Sequence, residues 1–299
     1  MHIAVFGAGS LGSLLGGLLA GHHDVTLVGR NPHMKTVASG GLSIVGDLHR
    51  SVHPATTTDW AGVEDPDLVL VTVKAYDTES VASQLARNPP ATILTLQNGI
   101  GPAETLTERL PKSTVLAGTI TYGARLEAPG TVACTGQGDV VVGALTGGPA
   151  PAADPVVSSF ERAGISCRID PHFPVERWRK LSINAAINPL TALAGVPNGM
   201  IRQPPLRSVA GEIAHEVARV ARANGISLSD GVAERAVMDV ASQTATNESS
   251  MARDVRRGTQ SELEAITGAV LQHAEGIPVP HNALLYAIIA AREQESGLR

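Results

Sequence analysis

The run 180-KLSINAAINPLTAL-193 carries its polar residues in a stripe. Lys180, Asn184 and Asn188 recur at steps of four. Each such step turns through about 400° on an α-helix, so successive residues drift by only about 40°. The spacing predicts a helix with these three residues on one face, among Leu181, Ile183, Ala185, Ala186 and Ile187. A solvated face would carry more charge. An ammonium can supply a proton or a counter-charge, and an amide both donates and accepts hydrogen bonds. These groups can equip a polar binding site. Spacing also leaves open a structural alternative, in which the amides hold loops at a domain junction.

Two more positions place polar groups at the ends of buried-type strands. Lys74 closes the run 68-LVLVTVK-74, and Asn98 follows 92-TILTLQ-97. Open α/β sheets bind ligands at that carboxyl edge, although an Asn-Gly pair such as 98–99 is also an ordinary turn. Glu262 lies in the amphipathic run 258-GTQSELEAITGAVLQHAEG-276, where the pattern alone reads it as a solvated helix charge. No HExxH, GxSxG or GxxxxGK[ST] motif occurs, and the ten histidines show no metal-ligand spacing. No metal is expected.

The segment 7-GAGSLG-12 is a GxGxxG that follows an N-terminal strand and opens a helix, the context a dinucleotide fingerprint requires. Gly7 would make the tight turn, Gly9 would let backbone approach a pyrophosphate, and Gly12 would let helix and sheet pack closely. With Ala8, Ser10 and Leu11 these residues form the expected cofactor loop, at a helix N-terminus that favours anions. After the second strand, 24-DVTLVGRN-31, the acidic residue typical of NAD sites is absent and Arg30 stands instead. A guanidinium grips a 2′-phosphate with paired donors, so NADP(H) is the expected cofactor, and Lys35 could assist.

These positions require a scaffold. Strand and helix signals alternate through the first half, which predicts a Rossmann-type α/β domain with a mostly parallel sheet over residues 1–170. Helical patterns with almost no strand signal follow, predicting an all-α domain over 171–299. Hairpins are expected at 41–58 and 131–144. The 299 residues, 43% of them hydrophobic, can bury two cores. A net charge of −5 argues against nucleic acid as a partner. Two cysteines do not make a disulfide framework. No apolar run is long enough to span a membrane and no leader pattern is evident, so a cytoplasmic setting is expected.

Taken together, 7-GAGSLGS-13, 73-VKAYDT-78, 96-LQNGIG-101, 118-GTITYGARLEAPG-130, 178-WRKLSINAAINPLTAL-193 and 249-SSMARDVRRGTQSELEAITG-268 resemble the ketopantoate reductase (2-dehydropantoate 2-reductase) family. The resemblance covers nearly the whole chain. It implies NADPH-dependent reduction of 2-dehydropantoate to (R)-pantoate, on the route to pantothenate and coenzyme A, with substrate held between a Rossmann and a helical domain. It implies Lys180 as the catalytic lysine and general acid, and Glu262 as a glutamate at the substrate site, against the bland reading of its pattern. It implies Asn98, Asn184, Asn188, Asn247 and Ser250 at substrate positions, and Arg30, Lys74 and Asn98 at cofactor or cleft positions. The partner implied is a small 2-oxo acid, with a homodimer left open. Asp77 departs from the pattern, where a neutral amide can stand. A paralogous reductase of another branched 2-oxo acid and a non-catalytic NADPH sensor are the competing readings.

Overall fold

Strand His2–Phe6 is buried from Ile3 to Phe6. Asp24–Val28 and Leu68–Val71 run parallel to it on either side, and Thr92–Thr95 lies beyond Leu68–Val71. Continuous apolar runs of this kind suit parallel strands covered on both faces. Phe6 pairs with both Val28 and Val71, and Val71 pairs with Thr95. The four strands therefore end level, and the loops that leave them open along one carboxyl edge. The computed structural model describes residues 1–298. Its large sheet has eight strands, in the order Ser166–Ile169, Asp139–Gly143, Thr114–Ile120, Thr92–Thr95, Leu68–Val71, His2–Phe6, Asp24–Val28 and Ala55–Thr57. All neighbours are parallel except Thr114–Ile120 against Asp139–Gly143. The order reverses at His2–Phe6, a switch point of the kind where such sheets bind nucleotides.

The hairpin expected over 131–144 does not form. Thr131–Gly136 pairs with Gly123–Ala128 and Leu42–Gly46 in a separate four-stranded sheet, while Asp139–Gly143 enters the large sheet. The chain instead reverses just before Thr131, where Gly130 takes a φ of 79°. Thr121 fixes the crossing: its hydroxyl oxygen accepts the Asp139 N–H at 2.8 Å. Residues 41–58 do begin with a hairpin, Leu42–Gly46 against Arg50–Val52. Their last strand, Ala55–Thr57, joins the large sheet beside Asp24–Val28.

Two compact units result. One comprises Met1–Gln97 and Pro102–Phe173; the other comprises Asn98–Gly101 and the chain from Pro174 onward. The second unit contains no strand among its described residues. Its core is centred on helix Leu206–Ala223, where Ala210, Ile213, Ala214, Val217, Ala218 and Ala221 are fully buried at helical spacing. The last helix, Pro280–Glu295, has no side-chain cap of its own. Glu216, 1% exposed, supplies one: its carboxylate accepts the backbone N–H groups of His281 and Asn282, both at 3.0 Å, and the Asn282 amide at 2.8 Å.

The continuous helix expected over 258–276 is also corrected. The chain is non-helical through Thr259–Glu262, turns as a π-helix at Glu264–Gly268, and resumes as an α-helix at Ala269–His273. Tertiary bonds compete for this backbone. The Ser261 N–H donates to Glu293 at 2.8 Å, and the Ala265 carbonyl accepts the Ile100 N–H at 3.0 Å.

Candidate active site

The glycine loop is shaped by what its neighbours exclude. Gly7 has a φ of 109°, and a Cβ there would lie 2.6 Å from the Val73 nitrogen. A Cβ on Gly12 would run into the Gly7 carbonyl and the Thr72 hydroxyl. At Gly9 the nearest atom to a Cβ would be 3.9 Å away, so that face of the loop is open. The N–H groups of Gly7 and Ala8 both donate to the Val28 carbonyl at 3.0 Å. Helix Ser10–Leu19 makes its first internal bond from Ser13 to Gly9. Ser10, Leu11 and Gly12 thus carry the N–H groups available to a phosphate. The Ser10 hydroxyl oxygen accepts the Leu126 N–H at 3.0 Å, tying the helix start to the small sheet.

Sequence reasoning missed two supports of this loop. His33, buried, receives the Gly130 N–H at Nδ1 (2.9 Å), which places its own proton on Nε2, 2.9 Å from the Ser13 hydroxyl. Ser13 in turn donates to the Ala8 carbonyl at 3.2 Å. Burial holds the His33 pKa below its ordinary value, which preserves this neutral arrangement. Gln97 donates to Thr78 at 2.8 Å and to the Lys74 carbonyl at 3.4 Å, so it braces the turn that carries Lys74. A polar residue directly after buried Leu96 was the available signal for Gln97. His33 offered none, because its partners come from distant segments.

Arg30 projects from the loop after Asp24–Val28 and pairs with Asp77, Nη2 to Oδ2 at 3.3 Å. Asp77, the sequence departure, therefore faces the very cation expected to hold a phosphate.

In the helical unit, Lys180, Asn184 and Asn188 all lie on helix Phe173–Ala194. Pro189, within it, lacks the N–H that would bond the Ala185 carbonyl. Asn188 is buried and Asn184 partly so; their side-chain amides make no hydrogen bond to the described residues. Lys180 retains some accessible surface, yet protein crowds it closely enough to lower its pKa to about 8. Burial is the largest cause; Glu262 and Glu176 oppose it by favouring the charge, while Arg179 assists it. Burial disfavours the ammonium because the surrounding protein solvates it less well than water does.

Glu262, 6% exposed, accepts a hydrogen bond from Asn98 Nδ2 at 3.0 Å. Asn98 thus meets the carboxylate that acts on Lys180. The loop is locked by Gly99, whose φ is 85° and whose Cβ would collide with the Ala265 carbonyl. The π-turn that begins at Glu264, two residues after Glu262, is a device often found at functional sites. Ser250 opens helix Ser250–Arg257, but the cap is Ser249, which accepts the Ala252 N–H at 3.1 Å. Ser249 also bonds Thr191 of the stripe helix at 2.7 Å. This joins the two helices and leaves the Ser250 hydroxyl uncommitted to capping. Asn247 is exposed; its backbone carbonyl accepts the Asn198 N–H at 2.9 Å. The structure thus groups Asn98, Glu262 and Lys180, and ties the Ser250 segment to the stripe helix, without a direct bond from Asn247 or Ser250 to that trio.

A glycine-rich loop at the sheet's switch point, followed by a helical unit with a crowded lysine and a carboxylate in its field, defines a Rossmann-like oxidoreductase fold. The family model described as "Ketopantoate reductase PanE/ApbA" matches residues 3–147, and its C-terminal counterpart matches 173–293. The chain belongs to the ketopantoate reductase family. It is 41% identical to a 2-dehydropantoate 2-reductase of Halobacterium salinarum over 280 residues, covering 92% of each chain. A PanE/ApbA family ketopantoate reductase from Ralstonia eutropha superposes with a TM-score of 0.91 at 30% identity, covering 99% of this chain and 100% of the other. D-mandelate dehydrogenase, solved with NADH and anilino(oxo)acetate, shares the fold with a TM-score of 0.92 at 23% identity, covering all of both chains.

No helix among the described residues is long and apolar enough to cross a membrane. No group of three or more His, Cys, Asp or Glu among them could hold a metal ion.

Proposed function

We propose that this chain reduces 2-dehydropantoate to (R)-pantoate with NADPH, in pantothenate and coenzyme A biosynthesis. The reading rests on family membership and on one observation above others: Lys180 is crowded to a pKa of about 8 in the field of Glu262, which Asn98 holds. The unit built on the sheet, Met1–Gln97 with Pro102–Phe173, binds the dinucleotide, and the helical unit, Asn98–Gly101 with the chain from Pro174 onward, binds the 2-oxo acid.

The glycine loop fits a dinucleotide: it is open at Gly9, offers the N–H groups of Ser10, Leu11 and Gly12, and excludes a side chain at Gly7 and Gly12. Lys74 and Arg30 add positive charge at the same edge, Arg30 toward a 2′-phosphate. The nicotinamide, when bound, supplies the hydride to the C2 carbonyl carbon. Negative charge then develops on the carbonyl oxygen. Lys180 donates a hydrogen bond to that oxygen and passes it a proton, a role suited to a pKa near the working pH. Glu262 accepts the substrate hydroxyl and favours the charged form of Lys180. Asn184 and Asn188 use their uncommitted amides on hydroxyl and carbonyl groups, with Asn98 and Asn247 as further substrate contacts. Ser250 binds the carboxylate at the start of its helix.

The test is loss of NADPH absorbance with purified protein and a panel of 2-oxo acids, repeated with NADH. Rapid oxidation with 2-dehydropantoate is expected. Oxidation with a different acid alone would make this chain a paralogous reductase, and binding of NADPH without oxidation by any acid would make it a sensor.

A further inference from the structure

We infer that Asp77 sets the cofactor selectivity of this chain, opposing a 2′-phosphate at Arg30 and accepting a ribose 2′-hydroxyl, so that the preference for NADPH over NADH is narrowed. This rests on the reading of Arg30 as the 2′-phosphate partner. The Arg30 side chain is 89% exposed and that of Asp77 32%, with Nη2 and Oδ2 3.3 Å apart.

The two partners are not equally held. Asp77 is built into the Lys74 turn: its N–H donates to the Lys74 carbonyl at 2.9 Å, and it immediately precedes helix Thr78–Leu85. Gln97 braces the same turn through Thr78 and the Lys74 carbonyl. The Asp77 backbone is therefore held in place by the turn, whereas the Arg30 guanidinium is mostly exposed. A guanidinium grips phosphate best when its paired donors are free. Here one donor already meets a carboxylate, and a phosphate brought to Arg30 would acquire a like charge as neighbour. NADH reverses the balance. Its 2′-hydroxyl needs an acceptor, which NAD sites usually place at the end of the second strand. That point holds Gly29 and Arg30 in this chain, and Asp77 supplies an acceptor from the neighbouring loop.

Equilibrium dissociation constants for NADPH and NADH, read by nucleotide fluorescence, and for 2′,5′-ADP and AMP, read by calorimetry, would be compared across wild type, Asp77→Asn, Arg30→Ala and the double variant. Asp77→Asn should raise the ratio of NADPH to NADH affinity by about tenfold, the order expected for removing one like charge beside a partly exposed phosphate. The double variant should lose that gain. An unchanged ratio in Asp77→Asn, or an equal change for both nucleotides, would overturn the proposal while leaving the Arg30 reading intact if Arg30→Ala lowers the ratio. An Arg30→Ala ratio equal to wild type would remove that reading and this proposal with it.

Discussion

The amide of Asn98 donates to the carboxylate of Glu262 at 3.0 Å, although the two residues are 164 positions apart. The bond lies within the helical unit, because Asn98–Gly101 cluster there rather than with the strand they follow. It fixes one oxygen of the carboxylate whose field reaches Lys180. Replacing Asn98 with Ala should lower kcat/KM by about tenfold, as for loss of a bond to a charged group. Asn98→Asp should cost more, since two carboxylates at this distance resist joint ionisation. Equal kinetics for the Ala and Asp variants would show that the contact does not matter electrostatically.

Lys180 carries opposite demands from stability and reaction. Lys180→Met should cut kcat by about a hundredfold or more if the ammonium is the general acid. The same change removes a crowded charge, so Tm should rise by a few degrees. Scanning calorimetry beside steady-state assays checks both; a Met variant that is inactive and also less stable would argue that Lys180 is mainly a packing or pairing residue.

The pH dependence has a definite sign. With Lys180 as the proposed general acid, reduction would need its protonated form, so kcat/KM should fall by about tenfold per pH unit above about 8, the free-enzyme value. Stability should move the other way. The folded pKa lies below the unfolded 10.5, so the cost of the charged lysine is complete below about 8 and is relieved as pH rises toward 10.5. Denaturant titrations of wild type and Lys180→Met should converge over that window. Parallel curves would show that Lys180 titrates alike in both states.

Gly99 is a backbone requirement of the site. With a φ of 85° and the Ala265 carbonyl in the way of a Cβ, Gly99→Ala should destabilise by about 1–3 kcal/mol and displace the Asn98 loop. Activity should therefore fall at temperatures where the fold persists. Wild-type kinetics in that variant would show that the loop has another conformation available.

Glu216 makes a separate prediction about the fold alone. Glu216→Ala leaves the first N–H groups of the last helix without their acceptor and should cost about 3 kcal/mol. Hydrogen exchange at His281 and Asn282 should accelerate first; unchanged protection there would mean that the cap contributes little.

Much of this was legible in the sequence because it depends on local period. The parallel strands, the glycine loop and the helix bearing Lys180, Asn184 and Asn188 all announce themselves in short windows. Residues 131–144 read as a hairpin because adjacent apolar runs in a sequence often pair, whereas Thr131–Gly136 and Asp139–Gly143 find partners in different sheets. Glu262 was unreadable from its window for a related reason. Its amphipathic run looks like plain helix, but Glu293 and Ile100 take backbone groups there that a regular helix would need. The His33 support of the glycine loop likewise joins segments that no local pattern relates.

The division of the chain has a consequence for evolution and for protein engineering. Because Asn98–Gly101 belong with the helical unit, the backbone passes between units after Gln97, after Gly101 and again after Phe173. The helical half is therefore not a cassette. A fragment beginning at Pro174 would lack the donor for the Ala265 carbonyl and the amide that holds Glu262. Recombination at Phe173 between two relatives would exchange most of the helical unit, with the proposed site of Lys180 and Glu262, while leaving its tetrapeptide behind. Functional chimaeras should therefore require those four residues to travel with the C-terminal half.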